Sequence, residues 1–437
     1  MNRLKTSKPW DTHLHNPNDP SLKSWISVDE SSDFPIQNLP CGVFSVSKNP
    51  ARVGVAIGDY VLDLSVLYDD GFFDRDRIPF NVFAVGNLNE FMACGCDAWR
   101  SVRSTVSELL SANNPKLRDN NLLRERVLIS QSDVTMHMPI SVPSYVDFYS
   151  SEQHATNVGS MFRPDNPLMP NWKHIPIGYN GRASSVVVSG TDIHRPSGQV
   201  LPPDSETPIF SACRNLDFEL EVGFLNGKTT SLGSRISTSQ ASEHIFGLVL
   251  VNDWSARDIQ RWEYQPLGPF LSKTFGTSIS PWVVTLDALE PWRCGGPEQN
   301  PPVLDYLKYT GDWRIDLNLQ VELQTENMSK PQVISKTSFL NMYWNMAQQL
   351  AHQSVNGTNL QVGDLYASGT VSGDTPDSYG SMLELAWRGE RPLVMQETGE
   401  ERKFLLDGDT VVMTGWCQGD GYRVGFGEVR GKVIPTT

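Results

Sequence analysis

Residues 216–226 read Leu-Asp-Phe-Glu-Leu-Glu-Val-Gly-Phe-Leu-Asn, and within them Phe218, Leu220, Val222 and Phe224 alternate with Asp217, Glu219 and Glu221. A period of two is the mark of a strand, whose successive side chains face opposite sides. The carboxylates therefore share one face, with the Cα atoms of Glu219 and Glu221 roughly 7 Å apart at about 3.3–3.4 Å per residue. Acidic groups that close need water or a cation. Taken alone, the segment reads as a strand with a solvated outer face. Similar runs surround it: SSVVVSG (184–190), PWVVTLDAL (281–289), DLNLQVELQ (316–324), FLLDGDTVVMTG (404–415) and YRVGFGEVRGKV (422–433), separated by glycine turns. Helical spacing is clearest for Phe339, Met342, Tyr343, Met346 and Leu350, with Ser338 placed to cap them.

Upstream lies a smaller module. CGVFSVS (41–47), RVGVAI (52–57) and YVLDLS (60–65) read as strands, the last two joined by the turn pair Gly58-Asp59. Leu88, Phe91, Met92, Trp99, Val102, Val106 and Leu109 then recur at helical spacing, with Asn87 and Glu90 as cap and N3 partner. On such a helix Cys94 and Cys96 diverge and cannot share a metal. Residues 1–30 show no apolar periodicity and are expected to form a mobile extension, in which Asp11, His13 and His15 are a chance grouping rather than a metal cage. The organisation expected is an extension (1–30), a small N-terminal domain (31–135) and a larger C-terminal domain (136–437), mostly β within an α+β class.

Composition removes several functions. With 437 residues, 39% of them hydrophobic, the chain has enough apolar surface for a large core. Fifty acidic residues against 36 basic ones, a net charge of -14, argue against nucleic acid as a partner. Neither an apolar leader core nor a run of about 18 apolar residues appears, so no secretory signal or membrane span is expected. Six cysteines without a C-x-x-C pair read as reduced thiols and point to the cytoplasm. There is no G-x-G-x-x-G opening a helix, no H-E-x-x-H, no G-x-S-x-G and no internal repeat. Gly223–Thr229 (GFLNGKT) is one residue short of a phosphate loop and reads as a strand end followed by a turn.

Two segments gather polar groups among aromatics. Residues 145–163, YVDFYSSEQHATNVGSMFR, carry Asp147, Tyr149, His154 and Arg163; residues 252–264, NDWSARDIQRWEY, carry Asp253, Arg257, Gln260 and Tyr264. If Asp147 and Asp253 join Glu219 and Glu221, four carboxylates make an all-oxygen site suited to Mg2+ or Ca2+. His154 lies in a polar run and can serve as a base toward water, although a histidine met without context is more often structural. Lys273 and Arg257 can stabilise a developing alkoxide, or be ordinary surface cations.

Together these segments resemble the fumarylacetoacetate hydrolase family. The likeness also takes in SDFPIQNLPCGVFS (32–45), PLGPFLSKTFGTSISPW (266–282), MYWNMAQQLAHQSVNG (342–357), SMLELAW (381–387) and the region from Leu405 to Gly427, and leaves out only the first 30 residues. It implies a small SH3-like β-barrel domain followed by a larger mixed β-roll or β-sandwich catalytic domain, in a homodimer. It also implies metal-dependent cleavage of a carbon-carbon bond in a dicarboxylate β-diketone, fumarylacetoacetate, giving fumarate and acetoacetate at the end of tyrosine and phenylalanine breakdown. Carried over by motif, the metal carboxylates fall on Asp147, Glu219, Glu221 and Asp253, with Lys273 and Thr277 beside them; the base falls on His154, its orienting carboxylate on Glu384. Arg257, Gln260 and Lys273 match the oxyanion groups, and Tyr149, Arg163, Tyr179, Gln260, Tyr264 and Thr370 the substrate contacts. Loop differences, as at Pro164–Met169, fall at the pocket rim. The rivals are a related acylpyruvate hydrolase or 2-oxoacid decarboxylase, against which the long matched N-terminal half weighs, and a non-catalytic binding protein, against which the intact base, carboxylates and oxyanion groups weigh.

Overall fold

The alternating segment at 216–226 is interrupted after its second residue. In the computed structural model, which describes residues 15–436, it forms the two-residue strand Leu216–Asp217 and then Leu220–Asn226. The longer piece pairs antiparallel with Ile245–Asp253 on one side and Leu365–Ala367 on the other. Because it is an inner strand, its acidic face is covered as well as its apolar one: Asp217 and Glu221 are 0% exposed and Glu219 5%. The fold around the strand thus replaces the solvated face that the segment suggests when taken alone. It also raises the stakes, because buried carboxylates require partners.

Pairing continues outward into one 13-stranded mixed sheet. Tyr145–Phe148 joins Leu365–Ala367 in parallel, and Gly178–Asn180 follows it. At the other end the N-terminal strands enter the same sheet: Cys41–Val46 lies beside Arg52–Ile57, and also beside Trp282–Thr285 from the second half of the chain. Gly42 makes that junction possible, since a Cβ there would stand 2.6 Å from the Trp282 ring. Among the described residues no sheet closes into a barrel, so the SH3-like expectation is not met; the strand that would seal a small barrel hands its pairing to the larger sheet. A separate five-stranded sheet, built on Asn318–Gln324, Thr410–Gln418 and Arg423–Ile434, packs through Leu319, Val321, Met413 and Phe426 into the core of Phe218, Phe224 and Trp254.

Two predicted helices are divided. The seven apolar residues expected from Leu88 to Leu109 are all buried, but Leu88 precedes the first helix and the other six lie on two helices, Asn89–Ala93 and Cys96–Leu110, because Gly95 adopts φ 83° and breaks the ladder. Asn87 makes only a local bond to the Asn89 amide, without the expected capping box. Ser338 caps a single 3-10 turn, Phe339–Asn341. The true helix, Met346–Ser354, starts at Asn345, which exchanges capping bonds with Gln348, while the Tyr343 amide is diverted to the Ser150 carbonyl. Of the expected extension, residues 1–14 lie outside the described residues. From His15 onward the chain is held against the helix Cys96–Leu110: His15 bonds Ser107, the Trp25 indole donates to the Leu109 carbonyl and Ile26 is buried.

Asp364, in the turn before Leu365–Ala367, gives a stability test. Burial pushes its carboxyl up to about 6 against partial relief from the Gln361 amide and the Tyr366 hydroxyl. A raised acid means that the folded chain binds the proton more tightly, so this stabilisation is full at low pH and is lost as pH rises through about 6. Asp364→Asn removes that dependence. Its stability relative to the parent should improve by roughly 1–2 kcal/mol between pH 5 and 7, read from urea unfolding at both pH values; a constant difference would show that Asp364 does not titrate as placed.

Candidate active site

Neighbouring strands bring their ends together at one place. Asp253 ends Ile245–Asp253 and faces Thr277 on the adjoining strand. Glu219 and Glu221 flank Leu220, which pairs with Asn252. Asp147 lies beyond, on Tyr145–Phe148, and faces Tyr179. One oxygen from each of Asp147, Glu219, Glu221 and Asp253 falls within 4.8 Å of the others, and all four residues are buried.

The cluster is electrostatically lopsided. Lys273 Nζ bonds Glu219 and, at 2.8 Å, Asp253 Oδ2. Asp253 also accepts from the Tyr179 hydroxyl at 2.7 Å and from Thr277 at 2.9 Å. Arg257 Nη2 lies 2.8 Å from Glu219 Oε1, an ion pair off the hydrogen-bond axis. Burial would raise Glu219, but the Lys273 ammonium and the Arg257 guanidinium outweigh it and hold the carboxyl well below its usual range. Asp147 and Glu221 lack such partners. Burial first, then neighbouring carboxylates, push both well above the ordinary range.

Among the described residues, Asp147 Oδ1 and Glu221 Oε1 are buried without a hydrogen-bond partner, and Glu221 Oε2 receives only the Gly369 amide, at 3.0 Å. Two orphan oxygens in a cluster of four carboxylates fit a hard divalent cation, which would restore the ionised forms that burial disfavours. No sulfur or imidazole enters the group, so nothing favours a softer ion.

Beside this cluster stands an acid–base pair. Ser151 caps the helix Glu152–Phe162 by accepting from the His154 amide, fixing His154 in the first turn. His154 Nδ1 lies 2.7 Å from Glu384 Oε2. Ser372 and Ser381 donate to the same oxygen at 2.9 and 2.8 Å, and Asn157 donates to Oε1 at 2.9 Å. Burial would raise Glu384, but His154 and these donors hold it below its usual range. An ionised carboxylate only accepts, so His154 carries a proton on Nδ1, and it is the neutral form of the ring that offers the Nε2 lone pair to water. Tyr149 packs edge-on against the His154 ring, with centroids 5.3 Å apart. Gln260 accepts from Arg257 Nη1 at 3.2 Å, and Thr370, buried, follows Gly369.

Two expected residues are exposed where the others are buried or half-buried. Arg163, at the end of the His154 helix, is exposed and donates to the Pro167 carbonyl. Tyr264 is 43% exposed at the end of the helix Arg257–Glu263. Asn157, Ser372 and Ser381 escaped sequence reasoning. The signals were present: Asn157 lies three residues after His154, on the same helix face, and Ser381-x-x-Glu384 is a capping pattern.

Comparison with known proteins now bears on the whole chain. Residues 144–434 match the family model described as fumarylacetoacetate (FAA) hydrolase C-terminal, and residues 37–139 the model described as fumarylacetoacetase N-terminal. The chain belongs to the fumarylacetoacetase family. It is 55% identical to fumarylacetoacetase of Mus musculus over 417 residues, covering 94% of this chain and 99% of that protein. The Homo sapiens protein of the same name matches to the same extent, and that of Arabidopsis thaliana is 51% identical over 418 residues, covering 95% and 99%. Among solved structures, a fumarylacetoacetate hydrolase from psychrophilic Exiguobacterium antarcticum aligns at 16% identity with a TM-score of 0.49, over 91% of this chain and 99% of that one.

Proposed function

We propose that this chain hydrolyses 4-fumarylacetoacetate to fumarate and acetoacetate, the carbon-carbon cleavage that ends tyrosine and phenylalanine breakdown. The observation that carries this reading is the juxtaposition of a carboxylate-oriented histidine with a buried cluster of four carboxylates, joined where Glu219 of the cluster bridges to Ser381, which donates to Glu384, in a chain matched along nearly its whole length to fumarylacetoacetases.

Cleaving a 1,3-diketone requires a nucleophile at one carbonyl and stabilisation of the carbanion leaving from the other side. Glu384 orients His154, and His154 Nε2 takes a proton from water as its oxygen attacks the carbonyl next to the fumaryl half. Arg257, Gln260 and Lys273 form the positive edge toward the tetrahedral alkoxide. Collapse of that alkoxide breaks the carbon-carbon bond, and the proton held on His154 is available to the acetoacetate carbon. Asp147, Glu219, Glu221 and Asp253, with Lys273 and Thr277 beside them, are the groups that would hold Mg2+ or Ca2+; such an ion, when bound, supplies Lewis-acid stabilisation of enolate charge. Tyr149, Arg163, Tyr179, Gln260, Tyr264 and Thr370 are the proposed substrate contacts, and the exposed Arg163 is suited to a carboxylate at the rim.

Division into an N-terminal domain (31–135) and a catalytic domain (136–437) belongs to the same reading, as does the β-roll description of the second part. So does a homodimer, which exposed apolar side chains such as Phe210, Leu267 and Phe270 support as surface for a second copy to cover. The six free thiols support a reducing compartment such as the cytoplasm, and no described helix is long and apolar enough to cross a membrane.

The test is loss of fumarylacetoacetate absorbance by the purified protein, before and after chelation and after Mg2+ or Ca2+ is returned. Turnover abolished by chelator and restored by the ion is the expected result. Absence of turnover with either ion overturns the reading.

A further inference from the structure

Asp217 is the one carboxylate of the alternating segment that does not join the cluster of four, and it is 0% exposed. A buried charge of this kind is retained only with full hydrogen bonding. Asp217 has it, from three parts of the fold. Oδ1 accepts the amide of Phe218 at 2.8 Å and that of Met382 at 2.7 Å. Oδ2 accepts the amide of Leu383 at 3.0 Å and Nε of Arg257 at 2.8 Å.

The destinations give the arrangement its meaning. Met382 and Leu383 open the short helix Met382–Leu385, and the next residue is Glu384, whose carboxylate holds His154. Arg257 reaches from Asp217 across to Glu219, a member of the cluster. The strand Leu216–Asp217 is itself paired with Ser255–Ala256, immediately before Arg257, and the Arg257 amide donates to the Asn215 carbonyl. A single carboxylate thus fixes the backbone that presents Glu384 and the guanidinium that faces the alkoxide. These two groups lie more than 120 residues apart in sequence, and the structure ties both to one side chain.

We propose that Asp217 is a positioning residue that sets the acid–base pair and the oxyanion group in register with each other. It does so without touching substrate. This rests on the roles given above to Arg257 and Glu384. A purely structural role would act mainly on stability and leave the chemical step alone. A positioning role acts on kcat, and its effect depends on the presence of the groups it positions.

Asp217→Asn is the sharpest perturbation, because the amide can present its oxygen to only one of the two donor pairs and must set an NH2 against the other. It should lower kcat roughly 10- to 100-fold, less than the roughly 10^2- to 10^3-fold that outright loss of an oxyanion donor costs because the groups are displaced and not removed, while changing KM less than about threefold. In an Arg257→Gln or a Glu384→Gln background the same substitution should cost clearly less than in the parent, since one of the two groups it positions is already gone, and with both replaced it should cost less than about threefold more. Equal factors in the parent and in these backgrounds, or an unchanged kcat, overturn the proposal. Wild-type turnover in Arg257→Gln and Glu384→Gln themselves is a different result; it removes the mechanism and the positioning role with it. Should Asp217→Asn fail to fold, Met382→Pro tests the contact from the other end. Proline is tolerated at the first helical position and deletes the amide that Asp217 accepts; because Met382 is also a buried core side chain, Met382→Ala, which keeps the amide, is the control against which its kcat is read. Loss of kcat is expected there as well, and a wild-type kcat counts against the bracket.

Discussion

His154→Ala should lower kcat by roughly 10^2- to 10^4-fold, the range that a positioned general base supplies. The geometry explains why the loss falls on the chemical step. Nδ1 is committed to Glu384, so Nε2 is the one nitrogen of this ring left to take a proton from water. The variant should still fold, because Glu384 retains its bonds from Asn157, Ser372 and Ser381 and is not left as a bare buried charge. Glu384→Gln acts through the same imidazole. The double variant His154→Ala/Glu384→Gln should therefore be no slower, within about threefold, than His154→Ala alone. Stopped-flow measurement of fumarylacetoacetate loss under saturating substrate checks both points. Turnover near that of the parent in His154→Ala takes the histidine out of the mechanism, and multiplicative losses in the double variant break the pairing with Glu384.

What the sequence made legible was chemical type more than placement. Strict alternation at 216–224 marks a strand with its carboxylates on one side; the structure splits it into Leu216–Asp217 and Leu220–Asn226 and brings Glu219 and Glu221, but not Asp217, into one cluster. The same pattern suggested water on that side, because alternation usually accompanies half-burial. Burial came instead from partners that one segment cannot announce: Lys273 is 54 residues from Glu219, and Arg257 is 38 residues away and reaches it across a strand pair. The missing barrel has a similar cause. CGVFSV and RVGVAI read correctly as neighbours, but the other neighbour of Cys41 and Gly42 is Trp282–Val283, some 240 residues on. Gly95 and Asn345 show the opposite case. A glycine inside one helical pattern and an Asn-x-x-Gln box inside another were local, visible signals, and periodicity of the apolar residues alone overrode them. Apolar spacing reports which face is buried; it does not report where the hydrogen-bond ladder breaks.

Glu221→Gln should separate activity from stability. Gln can still accept from the Gly369 amide, so the one protein partner of Glu221 is kept, while a buried negative charge beside Asp147 is lost. Because burial and like charges already disfavour the ionised form of Glu221, the ion-free variant should melt no lower than the parent. Ion binding should suffer badly, since an outer-shell change alone costs about 10- to 100-fold in affinity and Glu221 offers one of the two oxygens with no protein partner. Isothermal titration with Mg2+ and Ca2+ is expected to show affinity lowered by at least about 100-fold, with turnover falling in step. Lys273→Met provides the contrast. It leaves Glu219 and Asp253 without their shared ammonium, and breaking a buried pair from one side costs about 3–5 kcal/mol, so this variant should melt lower and also turn over more slowly. If Glu221→Gln binds both ions as the parent does, the cluster is not the cation site. If it instead melts several degrees lower without ion, Glu221 is stabilising the fold, and its two unequal oxygens have a structural explanation rather than a functional one.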